Sequence, residues 1–240
     1  MTELSGRSAA VMQPYFFPNL AYYQLAASVD TFCFYDDVSF IKGGWINRNR
    51  ILQAGKPVLF TVPLEALSSN VSINQTMTRG IARMRDKFYR TLNQAYGRLP
   101  RFGPVSDLVM EQLPTTEQPV ADIAEASVRT VFDYIGSGPR FCKASTFAPE
   151  THGMDKVDRL VALTRKMRAR HYVNAIGGRD LYDKAAFAEH GIKLSFLQTH
   201  LPAYQQAGAH EFVPHLSMID VLMQNDPDDV RALLTEWELV

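Results

Sequence analysis

The sequence predicts an α/β protein of three layers, with a mostly parallel, Rossmann-like sheet and a helical insertion. Three observations predict it. The chain opens with a strand-helix-strand pattern. After residue 136 it runs strand-helix-strand-helix-strand. Between these parts, 81–135 reads as helix alone. The predicted organisation is a disordered tail over 1–10, an α/β core over 11–80 and 136–240, and the insertion at 81–135.

Each element has its own justification. "AAVMQ" is a short apolar run, compatible with a buried first strand. In "NLAYYQLAASV", Leu20, Tyr23 and Ala27 recur at helical spacing, with Pro18 and Asn19 where a helix start is expected. "TFCFYDDVSF" is β-branched and aromatic, the second strand. "KPVLFTVPLEAL", opened by a Gly-Lys-Pro turn and closed by Pro63, is the third. In 81–96, Met84, Phe88, Leu92 and Tyr96 recur every fourth residue as one apolar stripe. Helical stretches follow at 105–113 and 119–134. Then come "RFCKASTF" (strand), "DKVDRLVALTRKMRA" (helix), "HYVNAIGG" (strand ending in a glycine pair), "RDLYDKAAFAEHG" (helix stopped by Gly191) and "IKLSFLQT" (strand). The chain closes on an amphipathic helix packing through Val230, Leu233, Leu234 and Trp237. Asp226 is its N-cap, Pro227 its first residue, and the acids that follow suit its dipole.

Composition narrows the function classes. Apolar residues make up 46% and charged residues 21% of 240, which fits a globular protein. A formal net charge of +0 argues against a dedicated nucleic-acid binder. The basic runs 79–101 and 159–170 read as helices with a solvated basic face, open to phosphates. No apolar run approaches the roughly 20 residues of a membrane-spanning helix, and no secretory segment precedes residue 11. A cytoplasmic protein without membrane insertion is expected. Cys33 and Cys142 form neither a disulfide framework nor a metal set and read as buried packing. The six histidines lack metal spacing, so no metal is assigned.

In such sheets ligands bind beyond the carboxyl ends of the strands, which points to three loops. The first is "QPYFFPN". Pro14 and Pro18 fix φ and remove N–H donors, so this segment continues neither strand nor helix. Its rings wall either a core corner or a pocket into which Gln13 points. The second, 34–51, carries Asp36, Asp37, Lys42, Asn47, Arg48, Asn49 and Arg50 around Phe40 and Trp45. Paired acids beside cations can leave one carboxylate as a base. Arg48 suits two-pronged binding of phosphate or carboxylate, and the asparagines suit an oxyanion or a sugar hydroxyl. The opposing reading is a solvated turn that caps strand ends. The third is "AIGGRDLYD", whose glycine pair resembles a phosphate-binding turn before a helix. "S-M-I-D" (217–220) reads as a capping box.

The stretches "MQPYFFPNLAYYQL", "FYDDVSFIKGGWINRNRI", "YVNAIGGRDLYD" and "FVPHLSMIDVLM" resemble the WbqC-like protein family, nearly end to end from about Val11. The resemblance maps family positions onto Gln13, Tyr15, Phe17, Pro18 and Tyr22. It continues through Asp36, Asp37, Lys42, Trp45, Asn47, Arg48 and Asn49. Asp158, Arg159, Gly177, Gly178, Tyr182, Ser217 and Asp220 complete it. Many members carry a histidine after a lysine in the middle helix, where this chain has Phe88 after Lys87. A weaker likeness links "PYFFPNLAYYQL" to HIGH-type nucleotidyltransferases, without their histidines.

The resemblance implies a bacterial enzyme of O-antigen or other surface-polysaccharide biosynthesis that moves an aminoacyl or acyl group, glycine among them, onto a sugar. Asp36 or Asp37, aided by Lys42, is the expected base. Gln13, Tyr15, Phe17, Tyr22, Trp45, Asn47, Arg48, Asn49, Gly177, Gly178 and Tyr182 are the expected binding residues. The partner is a sugar or sugar nucleotide, and the donor an acyl thioester, a carrier protein or an aminoacyl-tRNA. The alternatives are an ATP-dependent ligase or nucleotidyltransferase, and a non-catalytic sugar-nucleotide-binding partner in an assembly complex.

Overall fold

The structure, a computed structural model, describes residues 6–240. It opens on β1 (Ser8–Met12), α1 (Leu20–Ala27) and β2 (Thr31–Phe34), with β1 and β2 parallel. β1 begins inside the stretch expected to be a tail. Ala9 and Ala10 are fully buried, and their small side chains fit between the cores on the two faces of the sheet. Residues 1–5 of that expected tail lie outside the described residues.

The next two strands correct the sequence reading. β3 (Arg48–Gln53) and β4 (Lys56–Thr61) pair antiparallel as a separate two-stranded sheet. The "KPVLFT" run is therefore not a third strand of the main sheet, and 48–53, expected as loop, is strand. The two-residue turn Ala54-Gly55 has φ of 49° and 72°, both left-handed as a tight hairpin requires. Alanine at the first of these positions hides the usual Asn-Gly signal. A side chain on Gly55 would fall 2.4 Å from the Gly208 carbonyl oxygen, so glycine is needed there for close approach as well.

α2 (Ile81–Tyr96), α3 (Phe102–Glu111) and α4 (Val120–Ile135) follow, then β5 (Arg140–Lys143), parallel to β2. The helical insertion is thus part of the crossover from β2 to β5. Its apolar faces join the sheet in one core: Phe132 of α4 lies 5.6 Å from Tyr23 and 5.5 Å from Phe141, ring to ring. Phe88 of α2 faces that core, 4.6 Å from Phe60. On the opposite side of α2, Arg83, Lys87 and Arg90 are exposed.

The second half comprises α5 (Ala144–Phe147), α6 (Lys156–Lys166), β6 (His171–Ala175), α7 (Lys184–Ala188), β7 (Lys193–Thr199), α8 (Met218–Gln224), α9 (Pro227–Leu233) and β8 (Trp237–Leu239). Two expectations shift here. "RFCKASTF" divides into β5 and α5. The closing helix ends at Leu233, and Trp237 belongs to β8, antiparallel to β7.

The main sheet runs β5-β2-β1-β6-β7-β8, parallel except for β8. From β1 the chain winds outward through β2 and β5, then returns to β6 and β7 on the other side. This Rossmann-like reversal sets β1 and β6 as neighbours whose connections diverge, the switch point where a crevice opens at the carboxyl ends. Side chains alternate between faces. Ala10, Phe32 and Phe34 meet α1 and α4, while Ala9, Val11 and Cys33 meet α6 and α7. Among the described residues no helix is long and apolar enough to cross a membrane.

Candidate functional site at the sheet switch point

Two cavities open at the carboxyl ends of β1 and β6, and both are lined by Met12, Tyr15 and Ala175. The first, of about 360 Å³, lies on the α1 side. Its floor is Met12, Ala175, Leu197 and Thr199, and its walls include Tyr15, Tyr22, Asn19, Trp45, Asn49, Arg50 and His215. The second, of about 630 Å³, lies on the α6 side and is lined by Gln13, Tyr35, Ser39, Lys156, Asn174, Gly177, Gly178 and Tyr182, among others. The two are lobes of one crevice, divided at Tyr15. Among the described residues no aspartate or glutamate lines either lobe, and each holds one permanent cation, Arg50 or Lys156.

The first lobe is shaped by a knot around Phe17. Proline on either side of "YFF" forces a bend, and Phe17 adopts φ 40°, rare for a bulky residue. Hydrogen bonds fix it there. Its N–H donates to Ser127 Oγ at 2.8 Å, and its carbonyl accepts from Asn49 Nδ2 and Ser217 Oγ, each at 2.7 Å. Ser217 N–H donates to the Arg50 carbonyl and Met218 N–H to the Pro18 carbonyl, each at 2.8 Å. One buried point therefore ties four segments: the aromatic loop, α4, β3 and the start of α8. Tyr22 Oη donates to the Gln13 carbonyl at 2.8 Å, and the Tyr15 and Tyr22 rings lie 5.5 Å apart, which makes the wall rigid. Asn49→Ala removes a buried amide from this knot. Expected are a destabilisation of about 1–3 kcal/mol in urea unfolding and a loosened first lobe. An unchanged midpoint would show that the knot does not hold the loop.

The second lobe rests on a buried ion pair. Arg159 Nη2 donates to Asp37 Oδ2 at 2.6 Å, both side chains more than nine-tenths buried. The Arg159 guanidinium lies 4.6 Å from the centre of the Tyr35 ring, and that ring lines the lobe. Asp37 thus acts through Arg159 on Tyr35. Gly178 packs against Asn174, whose Nδ2 would lie 2.5 Å from an added Cβ, whereas Gly177 faces open space. The glycine pair forms a short 3-10 turn, Ile176–Gly178, and α7 begins only at Lys184 with Asp183 as its cap. The expected phosphate turn leading straight into a helix is therefore absent.

The remaining predicted site residues divide between the crevice and the scaffold. Gln13, Tyr15, Tyr22, Trp45, Asn49, Gly177, Gly178 and Tyr182 line the lobes. Asp36, Asp37, Lys42, Phe17, Asn47 and Arg48 do not. Asp36 is buried, accepting from the Ser145 backbone N–H at 3.0 Å and from the Ser145 hydroxyl, which ties β2 to α5. Lys42 is exposed. Asn47 donates to the Val62 carbonyl at 2.8 Å. Arg48 is spent on the Gly43 and Gly44 carbonyls. Both acids of the expected base pair are thus engaged with internal partners, Asp36 with Ser145 and Asp37 with Arg159. Cys33 and Cys142, register partners on β2 and β5, line neither lobe. Ser217 caps α8, its Oγ accepting from Ile219 N–H at 3.3 Å. Asp220 closes no capping box; it accepts from Tyr96 and Tyr204 hydroxyls at 2.6 and 2.7 Å. Burial raises the Asp220 pKa.

Arg50, His215, Lys156 and Asn174 also line the lobes and were not among the expected binding residues. Arg48 and Arg50 alternate with asparagines, and both stack on Trp45, at 5.7 and 5.5 Å. Reading 48–53 as a strand would have placed both arginines on one face by its two-residue period. His215 lies in an irregular loop at φ 59°, and no local pattern singles it out. Burial raises the pKa values of Tyr15, Tyr22, Tyr35 and Tyr182, so these phenols stay protonated donors around neutrality.

No solved structure matches the chain. It is similar to the uncharacterized protein Rv1507c of Mycobacterium tuberculosis, 25% identical over 231 residues that cover 94% of this chain and 98% of that protein. The model of the WbqC-like protein family matches residues 13–232, which include the aromatic loop, β3, the Ser217 knot and the lining of both lobes apart from Val11 and Met12. The chain belongs to the WbqC-like protein family.

Proposed function

We propose that the chain is a group-transfer enzyme that moves an acyl or aminoacyl group, glycine among the candidates, onto a sugar in bacterial surface-polysaccharide biosynthesis. Family membership links it to proteins of polysaccharide biosynthesis generally. One observation carries the reading further: the two lobes share Met12, Tyr15 and Ala175. Two ligands bound side by side there meet at Tyr15, which is the geometry of transfer between them.

In this reading the acceptor sugar lies in the first lobe against Trp45, Tyr15 and Tyr22. Its amine or hydroxyl attacks the activated carbonyl of a donor in the second lobe. His215, a residue of the first lobe's lining, takes the proton from the attacking atom. The Gln13 and Asn174 amides and the Tyr15 hydroxyl are the neutral groups for the carbonyl oxygen as it gains charge. Lys156 meets the anionic part of the donor. The new C–N or C–O bond forms as the thiolate, phosphate or tRNA hydroxyl departs. The ATP-dependent alternative has less support, because Mg²⁺ is bound through carboxylates and none lines either lobe among the described residues.

The test supplies acyl and glycyl thioesters, glycyl-tRNA, or ATP with glycine, together with amino-sugar nucleotides, and reads acylated sugar by mass spectrometry. Product from a thioester or tRNA donor without ATP is expected. His215→Ala is expected to lower kcat by about 10²–10⁴-fold. Product formed only with ATP would overturn the transferase reading in favour of a ligase. Full turnover in His215→Ala would remove that base.

A further inference from the structure

We propose that the first lobe is a binding site for an anionic monosaccharide: a sugar ring stacked on Trp45, carrying a phosphate or carboxylate held by Arg50. This names the substrate class of the acceptor lobe and so rests on the reading given above. Two arginines flank Trp45, but they are not equivalent. The Arg48 guanidinium is spent on two backbone carbonyls of its own loop. Arg50 makes one long bond, Nη2 to the His215 carbonyl at 3.5 Å, and its Nε–H has no acceptor in the protein. Among the described residues Arg50 makes no ion pair. A guanidinium keeps its charge at any working pH and presents five donors. Here the Nε–H is closed off from solvent, and the Nη hydrogens carry only that one long bond, in a lobe with no carboxylate of its own.

A second observation agrees. α1 opens on this lobe through Asn19, its N-cap, whose side chain makes no cap hydrogen bond, and the first turn of α1 carries no acid. An N-cap asparagine ordinarily satisfies a backbone N–H of that turn. Here Asn19 lines the cavity instead, at the positive end of the helix dipole and with no carboxylate in that lobe to meet it. Tyr15, Tyr22 and Trp45 add aromatic rings to the wall, and Trp45 is 41% exposed. A volume of about 360 Å³ lies at the small end of ligand pockets, which suits one ring with one charged group. An anionic sugar uses every unusual feature at once: the free guanidinium takes the charge, Trp45 the ring face, and Asn19 and Thr199 the hydroxyls.

The probes are glucose 1-phosphate, galactose 1-phosphate, glucuronate and galacturonate, titrated calorimetrically into the full chain. Glucose and inorganic phosphate are the controls. At least one anionic sugar is expected to bind tenfold or more tighter than both controls, and whether the phosphates or the uronates win identifies the charged group. Arg50→Gln is expected to weaken that ligand at least tenfold while melting like the parent. Trp45→Ala weakens it too, and Lys42→Gln, a cation of the same loop outside the lobe, leaves it unchanged. Equal binding of neutral glucose, no binding by any of the four, or an unaltered affinity in a folded Arg50→Gln would overturn the proposal. Tight binding without turnover on any donor would instead sink the transferase reading and leave this site standing. Turnover of a neutral sugar that is unaffected by Arg50→Gln would do the reverse.

Discussion

Arg159→Ala is expected to cost about 3–5 kcal/mol of unfolding free energy, the range for stranding one member of a buried ion pair. Asp37 is buried, and its Oδ1 already has no hydrogen-bond partner. Arg159 supplies its short contact at 2.6 Å; His152, exposed and 3.4 Å away, cannot replace it. The same substitution removes the cation beneath Tyr35, so the second lobe should lose shape together with stability. Urea unfolding measures the loss, and the Asp37→Leu/Arg159→Met double variant should recover most of it, because paired apolar side chains leave no charge stranded. A loss below about 1 kcal/mol for Arg159→Ala would mean that water reaches Asp37 and that the pair does not anchor the crevice.

The second large effect is on acid stability and comes from His171. It is buried on β6 with Nε2 2.9 Å from Ser195 Oγ. Burial, with a smaller contribution from Lys193, lowers its pKa to about 4. The folded protein therefore favours the neutral ring more than the unfolded chain does. Stability from this group is fully present above the unfolded value of about 6.5 and is lost as pH falls toward the folded value. The expected loss between pH 6.5 and 4 is about 2–3 kcal/mol. Urea midpoints collected across that window should fall for the parent and flatten in His171→Gln, which retains a polar partner for Ser195 but cannot gain the proton. An equally steep fall in the variant would assign the acid sensitivity elsewhere. Asp220 works in the opposite sense, since a raised carboxyl pKa favours the protonated form at low pH.

The parallel core was legible because its signals are local. Apolar runs such as "TFCF" and "HYVNA" and the stripe of α2 declare their own period, and these elements appear where that period places them. The β3–β4 hairpin was not legible, because Ala54 occupies a left-handed position that sequence reasoning assigns to glycine or asparagine. That miss carried into the site. Taken as a loop, 34–51 looked like a cluster of acids and bases meeting one ligand. In the structure it is a loop followed by a strand: Asn49 and Arg50 both border the first lobe, while Asp36, Asp37 and Asn47 are buried. Which carboxylates face inward depends on partners more than a hundred residues away, Ser145 and Arg159, and no local pattern encodes such pairings. The aromatic loop was read closest to its structure. Two prolines ruled out strand and helix alike, and the alternatives of core corner and cavity wall divide between its rings: Phe16 and Phe17 are buried in the core, Phe17 among the expected binding residues, while Tyr15 lines a cavity.

Two ligands are expected to meet over the switch point between β1 and β6, on either side of Tyr15. A crystal structure of the full chain grown with an anionic sugar and a non-hydrolysable acyl donor analogue tests it most directly. Expected is the sugar between Trp45 and Tyr22 with its charged group on Arg50, and the donor analogue against Gln13, Asn174 and Lys156. Ligand density at Asp36 and Lys42 instead, with both lobes free of it, would return the chemistry to the acidic pair.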